Sequence, residues 1–306
     1  MTKVLVATEK PFAKAAVDEI KVILDDAGFE YSFFEKYDGQ DALINEVADA
    51  DALIIRSDKV TPEVIEAAKN LKIVVRAGAG YDNVNLEAAT KNDVVVMNTP
   101  GQNSNAVAEL ALGMMVYQAR NHFNGKSGSE LRCKKLGIHA YGNVGKLVAK
   151  IAKGFGMEVL AFDPFVDSSV IEADGVKVVN SVEELYSTCD YISLHIPAND
   201  HTKKSINYEL LSKMKDNATI VNTARKEVID EDGMVKAMEE KPGLKYASDI
   251  APVNAEDMTS RFGDRCFFTP KKMGAQTAEA NINAGKAAAS QIINFINKGD
   301  ITFKVN

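Results

Sequence analysis

Cysteine is scarce: only Cys133, Cys189 and Cys266 occur in 306 residues. Three scattered thiols make neither a disulfide framework nor a metal-ligand spacing, and they read as structural residues in a reducing cytosol. No run approaches the ~20 apolar residues of a membrane span. Met1-Thr2-Lys3 leads straight into the apolar Val4-Leu5-Val6-Ala7, which leaves no room for a signal or transit peptide. Positive charge is in deficit too, with 36 lysines and arginines against 43 aspartates and glutamates, a formal net charge of −7. That balance argues against nucleic acid and anionic membranes as partners. An anionic substrate would need its positive charge gathered locally. Heptad runs, low-complexity tracts and proline-rich linkers are missing as well. The length suggests about two domains, and the 46% of hydrophobic residues can fill large cores.

Against these absences, residues 136–163 carry a distinct pattern. The apolar strand Leu136-Gly137-Ile138 leads into the small-residue turn Ala140-Tyr141-Gly142-Asn143-Val144-Gly145. A helix follows through Phe155, then the strand Glu158–Phe162, closed by Asp163. This is the Rossmann dinucleotide fingerprint: small residues let the backbone approach a pyrophosphate seated on the amides of a helix N-terminus. Asp163 falls about 20 residues past the turn, where a carboxylate can hold ribose hydroxyls. It would repel a 2′-phosphate, so NAD is favoured over NADP. The first glycine of the usual pattern is Ala140 here, tolerable if that position has φ below zero and costlier if φ is positive.

The fingerprint begins mid-chain. Before it, short β-branched runs alternate with helical patterns. Strands are expected at Val4–Ala7, Ala52–Ile55, Ile73–Val75 and Val94–Met97, and helices from Pro11 to Gly28 and over Pro62–Lys69. Such alternation implies an α/β fold with parallel sheets covered on both faces. A long apolar helix, Ala106–Arg120, precedes the fingerprint. Strands at Tyr191–Leu194, Thr219–Val221 and Leu244–Ala247 follow it, then an alanine-rich helix, Ala278–Ile296. The strand-like end Ile301–Val305 is expected to join the first domain. The cofactor domain, residues 100–284, therefore reads as inserted into a substrate domain of residues 1–99 and 285–306. That arrangement would place a catalytic cleft between the two, where closure can exclude water.

A second informative stretch is Asn222-Thr223-Ala224-Arg225-Lys226-Glu227-Val228-Ile229-Asp230, which follows a strand end. In open α/β sheets that position faces the ligand crevice. An arginine there can clamp a carboxylate through two parallel hydrogen bonds. Arg56 and Arg76 end two other buried strands and could supply the local positive charge that a multiply charged acid requires.

The chain resembles the D-isomer-specific 2-hydroxyacid dehydrogenases, and within them the phosphoglycerate branch. The resemblance is carried by Val75–Val84, Met97–Pro100, Val107–Leu110, the Rossmann unit, Asn222–Arg225 and Gly274–Thr277, in family order across nearly the whole chain. It implies two doubly wound parallel-sheet domains, with the Rossmann NAD-binding domain inserted into a flavodoxin-like substrate domain. It implies that Arg225 holds the substrate carboxylate and 2-oxygen, and that backbone amides at Gly78 and Ala79 bind the carboxylate. Asn103, Arg56 and Arg76 complete the substrate-binding set. Asn143 and Val144 would meet the pyrophosphate, Asp163 the adenosine ribose, and His195, Ile196 and Pro197 would line the adenosine side. Thr223 and Ala224 would sit beside the nicotinamide, whose carboxamide Asp249 would anchor. Tyr141, Gly142, Gly274 and Ala275 complete the cofactor-binding set.

Two departures stand out. Where the family has its proton-donating histidine, anchoring on Gly274-Ala275 places Lys272. No glutamate follows Asp249 to support an imidazole. Both departures resemble a lysine-bearing short subgroup. Lys272 is thus the expected acid/base, with the adjacent Lys271 as rival. His122, His139, His195 and His201 all lie in settings that suit structural or solvent-facing roles. A free lysine titrates near ~10.4, so service as a base near neutrality needs about 3 units of lowering, roughly 4 kcal/mol. Burial and the Arg225 cation both push that way.

The resemblance implies NAD-dependent interconversion of 3-phosphoglycerate and 3-phosphohydroxypyruvate, the first step of phosphorylated serine biosynthesis. It also implies a cytoplasmic homodimer formed through the NAD-binding domain, without appended regulatory domains. The alternatives are a glyoxylate or hydroxypyruvate reductase of the same superfamily, and a non-catalytic NAD-sensing corepressor or scaffold.

Overall fold

Short β-branched runs become the inner strands of two all-parallel sheets. The computed structural model describes residues 1–306 and divides into two compact units, Met1–Asn103 with Thr277–Asn306, and Ser104–Gln276.

In the first unit, β1 (Lys3–Thr8), β2 (Glu30–Glu35), β3 (Ala52–Ile55), β4 (Ile73–Arg76) and β5 (Val95–Asn98) lie in the order β2-β1-β3-β4-β5. This is the flavodoxin-like doubly wound order, reversing direction between β1 and β3. Side chains alternate across the sheet with the period of two that a strand imposes. Leu5, Leu53, Ile55, Val74 and Val96 fill one face. Val4, Ile54, Ile73, Val75 and Met97 fill the other, against the helix Ala278–Lys298. Gly285 of that helix packs against Ile20, whose Cδ1 would lie 2.9 Å from any added Cβ. A small residue is what lets this helix approach the helix Lys14–Asp26, which carries Ile20.

Two expectations need correction. The edge strand β2 was not foreseen, because Glu30-Tyr31-Ser32-Phe33-Phe34-Glu35 is only half-buried and mixes polar with aromatic residues. The C-terminal segment Ile301–Val305 is not a strand. It makes one isolated antiparallel bridge, Lys304 to Met97, because the Asp300 carboxylate accepts the Thr302 amide at 2.9 Å and turns the chain.

The second unit holds β6 (Lys135–His139), β7 (Glu158–Phe162), β8 (Lys177–Val178), β9 (Tyr191–Leu194), β10 (Thr219–Asn222), β11 (Lys245–Ser248) and β12 (Cys266–Phe268). Their order is β12-β11-β10-β9-β6-β7-β8, again all parallel. The first six strands follow the dinucleotide-fold order, with β12 added at one edge, and the switch point lies between β6 and β9. The apolar helix Ser104–Ala119 places Ala108, Ala111, Leu112 and Met115 in the core on one face. Among the thiols, burial pushes Cys189 up to about 12 and Cys266 up to about 11, whereas Cys133 is exposed. No helix is long and apolar enough to cross a membrane.

At the carboxyl end of the first sheet, Asp58 ties three loops together. Its carboxylate accepts the Glu9 amide at 2.6 Å, the Tyr37 hydroxyl at 2.8 Å and the Arg56 amide at 3.1 Å. It is 2% exposed, and the pairing drives the Tyr37 hydroxyl pKa upward, with burial the larger cause. Asp58→Ala strands three part-buried donors and should cost about 1–3 kcal/mol, read as a lowered urea midpoint. A midpoint within error of the parent would remove this hub.

Candidate active site

The dinucleotide turn answers the question that Ala140 raised. Its φ is +80°, a left-handed conformation that strains any residue with a Cβ. The turn is tight because Gly145 passes directly over the Ala140 carbonyl, where a Cβ would overlap it. Gly142 precedes the helix Asn143–Gly154 without a side-chain cap, and nothing lies within 4 Å of a Cβ added there. The first amides of that helix are therefore suited to an anion. Asp163 sits beside them, accepting the Tyr141 amide at 2.7 Å and the Phe165 amide at 2.8 Å. Each carboxylate oxygen keeps lone-pair capacity for a ribose hydroxyl. Tyr141 itself turns inward: it is 0% exposed, its hydroxyl donates to Asp174 at 3.0 Å, and it serves to brace Asp163.

Next to Asp163, two histidines flank the switch point. The His195 amide donates to the His139 carbonyl at 2.9 Å. The ring of His139 meets the Tyr186 hydroxyl at 3.2 Å, and that of His195 meets the Ser193 hydroxyl at 2.9 Å. Burial holds both rings neutral, lowering His139 to about 4 and His195 to about 3. Ile196 enters the core at 7% exposure, and the Pro197 carbonyl accepts the Thr202 hydroxyl.

The Arg225 turn and the Lys272 loop meet at one atom. Asn222, at the end of β10 and 2% exposed, accepts the Ala224 amide at 2.9 Å and donates to the Arg225 carbonyl at 2.9 Å. Thus folded, the turn presents the Ala224 carbonyl. The Arg225 guanidinium donates to it at 3.0 Å, and the Lys272 ammonium donates to the same oxygen at 3.3 Å. Lys272 is half-buried and Lys271 exposed. The neighbouring Thr223 hydroxyl is buried without a hydrogen-bond partner. Asp249, 2% exposed, accepts the Thr269 hydroxyl and the amides of Met273 and Gly274. Ala275 follows that clamped loop, half-buried. Thr269 was not singled out from sequence, and Asn222 was named only as the start of the arginine stretch, without a role of its own. The only available signal was a polar residue closing a buried apolar strand.

In the first unit, the Arg76 guanidinium folds back over Gly78. Its Nε donates to the Arg56 carbonyl at 2.9 Å. Gly78 has φ +151°, and a Cβ there would overlap that guanidinium. Asn98 holds the Ala79 carbonyl at 2.6 Å, leaving Ala79 exposed beside the charge. Arg56 is committed differently: its guanidinium donates to the Lys10 and Pro11 carbonyls and to Asn281, stacked over Phe12. Asn103 is half-buried where the first unit gives way to the second along the chain.

A strand-end arginine, a half-buried lysine and a dinucleotide-type turn lie together in one doubly wound unit. The chain belongs to the D-isomer-specific 2-hydroxyacid dehydrogenases, and residues 105–270 match the family model of their NAD binding domain. It is similar to the structure of NAD+-bound 3-phosphoglycerate dehydrogenase from Entamoeba histolytica, with 47% identity and a TM-score of 0.89 over 100% of this chain and 98% of that one. It is also 38% identical over 268 residues to the D-3-phosphoglycerate dehydrogenase of Methanocaldococcus jannaschii, covering 83% of this chain and 51% of the relative. The hydroxypyruvate reductase of Thermotoga maritima is 38% identical over 266 residues, covering 80% of this chain and 85% of the relative. The chain thus spans about half the length of the archaeal relative.

Two outcomes follow from the turn and the histidines. Ala140→Gly removes a left-handed Cβ and should stabilise the protein by about 1 kcal/mol, measured by urea unfolding; destabilisation would show that the alanine methyl is needed. Histidine in the unfolded chain titrates near ~6.5, so between that value and about 4 the unfolded state binds more protons than folded His139. Stability from this ring is fully present above pH ~6.5 and is lost as pH falls toward 4, on the order of 3 kcal/mol in all. His139→Gln should flatten the fall in urea midpoint over that window. An unaltered slope would count against a neutral buried ring.

Proposed function

We propose that this protein is an NAD-dependent D-3-phosphoglycerate dehydrogenase, interconverting 3-phosphoglycerate and 3-phosphohydroxypyruvate. The observation that carries the reading is the meeting of Arg225 and Lys272 on the Ala224 carbonyl. It sits at the carboxyl end of a dinucleotide-type sheet, in a chain similar over its whole length to a 3-phosphoglycerate dehydrogenase.

NAD, when bound, supplies the hydride acceptor. The rest is the work of this chain's residues. The amides at Gly142, Asn143 and Val144 seat the pyrophosphate, and Asp163 takes the ribose. The unpartnered Thr223 hydroxyl and the Ala224 backbone orient the nicotinamide end, and Gly274 and Ala275 let the lysine loop lie close. Arg225 holds the substrate carboxylate and 2-oxygen. Lys272 takes the hydroxyl proton in the oxidation direction and returns it in reduction. Lys272 is preferred over Lys271 because it is half-buried and tethered to the Ala224 carbonyl. Residues 1–103 and 277–306 are assigned to substrate binding, with the Arg76–Gly78–Ala79 cradle taking the substrate's negative charge, Asn103 in the same binding set and Arg56 as support. Residues 104–276 are assigned to NAD.

A cytoplasmic homodimer joined through the NAD-binding unit completes the proposal. Its support is the exposed Phe123, 65% accessible, at the end of three consecutive left-handed residues, Asn121, His122 and Phe123. An apolar ring held out by strained backbone suits a surface that another subunit covers. The hydroxypyruvate reductase relative supports a second reading, in which the unphosphorylated ketoacid is preferred.

NADH consumption should be faster with 3-phosphohydroxypyruvate than with hydroxypyruvate or glyoxylate; the reverse ranking favours the reductase, and no turnover with any of them favours a scaffold. Lys272→Met should lower kcat by about 10²–10⁴. Arg76→Ala should weaken the phosphorylated substrate far more than hydroxypyruvate, and equal losses would dismiss Arg76 as the phosphate-side charge.

A further inference from the structure

We propose that Asp249 is a positioning residue for Lys272, in a chain where no glutamate follows it to steady the acid/base. The inference rests on Lys272 being that acid/base. Three protein donors converge on the Asp249 carboxylate: the Thr269 hydroxyl at 3.0 Å, the Met273 amide at 2.6 Å and the Gly274 amide at 2.7 Å. All three lie on the loop that carries Lys272, and Met273 is its immediate neighbour. A carboxylate offers about four lone-pair positions, so loop clamping takes most of the acceptor capacity that could serve a nicotinamide carboxamide. Gly274 is built for this seat, since a Cβ there would stand 2.9 Å from Asp249 Oδ2 and 3.1 Å from the Val107 side chain. The clamp is joined to the arginine turn, because the Asp249 amide donates to the Asn222 carbonyl at 2.9 Å. Asn222 folds the turn whose Ala224 carbonyl receives Lys272. One end of the lysine's loop and the acceptor for its ammonium are therefore set by two adjacent buried residues on neighbouring strands.

The test uses the full chain, with Asp249→Asn and the milder Thr269→Val each made in the parent and in Lys272→Met. In the parent, Asp249→Asn replaces an acceptor facing the Gly274 amide with a donor and should lower kcat by about 10- to 100-fold, the scale of a misplaced catalytic group. It should also displace the pH profile of kcat, while KM for NADH changes less than about twofold. Thr269→Val should move both readouts the same way by less, and it decides the matter if Asp249→Asn does not fold. In the Lys272→Met background both substitutions should change kcat by less than about twofold, because residues acting through one group are not additive. A raised KM for NADH with an unmoved pH profile would make Asp249 a carboxamide anchor and overturn the proposal. Full multiplication of the losses in Lys272→Met would overturn it as well. A fully active Lys272→Met would instead remove the acid/base assignment itself, and this inference with it.

Discussion

One carbonyl oxygen, that of Ala224, receives both a guanidinium and an ammonium. A carbonyl oxygen has two lone pairs and can accept both, but the two cations repel each other, and a preorganised backbone beneath each offsets part of that cost. The structure supplies that preorganisation from the sheet. The parallel register sets Asn222 of β10 opposite Ser248 of β11, so Asn222 and Asp249 emerge side by side at the carboxyl edge. Each is buried, and each spends its side chain on shaping one loop. The open face of an α/β sheet ends in backbone groups that have lost their strand partners, and these two residues convert that deficit into a pair of fixed turns.

Local rules are broken at several of the positions where ligands are expected. Ala140 takes a glycine's conformation, Thr223 buries a hydroxyl without a partner, and two histidines are kept neutral by burial. Each costs stability, and strain of this kind persists where the surroundings over-determine it. The large cores on both faces of each sheet can sustain those costs. The first unit shows the same economy: Gly78 gives up its Cβ so that Arg76 can lie across it.

Much of this was legible in the residue order. The inner strands match their apolar β-branched runs to within a residue or two, and the dinucleotide turn lies where the small residues cluster. What escaped was marked by weak patterning. β2 hides in a mixed polar and aromatic stretch, and the tail resembles a strand until Asp300 turns it. Tyr141, which the resemblance places in the cofactor-binding set, turns its ring to the core, and its hydroxyl meets Asp174, a partner 33 residues away. Arg56 looked like a second anion-binding charge, and its guanidinium instead holds the Lys10–Pro11 loop and the helix that starts at Ala278.

By itself, the amino-acid order determined the alternating α/β pattern, the placement of the dinucleotide turn and the acid that follows it. These are local properties, written in period-two burial and in side-chain size over a few neighbouring residues. Only the tertiary structure decided that Lys272 reaches the carbonyl that Arg225 also holds, and that Asp249 spends its oxygens on the lysine's own loop. Those contacts join segments 24 to 48 residues apart, and their distances follow from strand register and close packing, which no short stretch of sequence encodes.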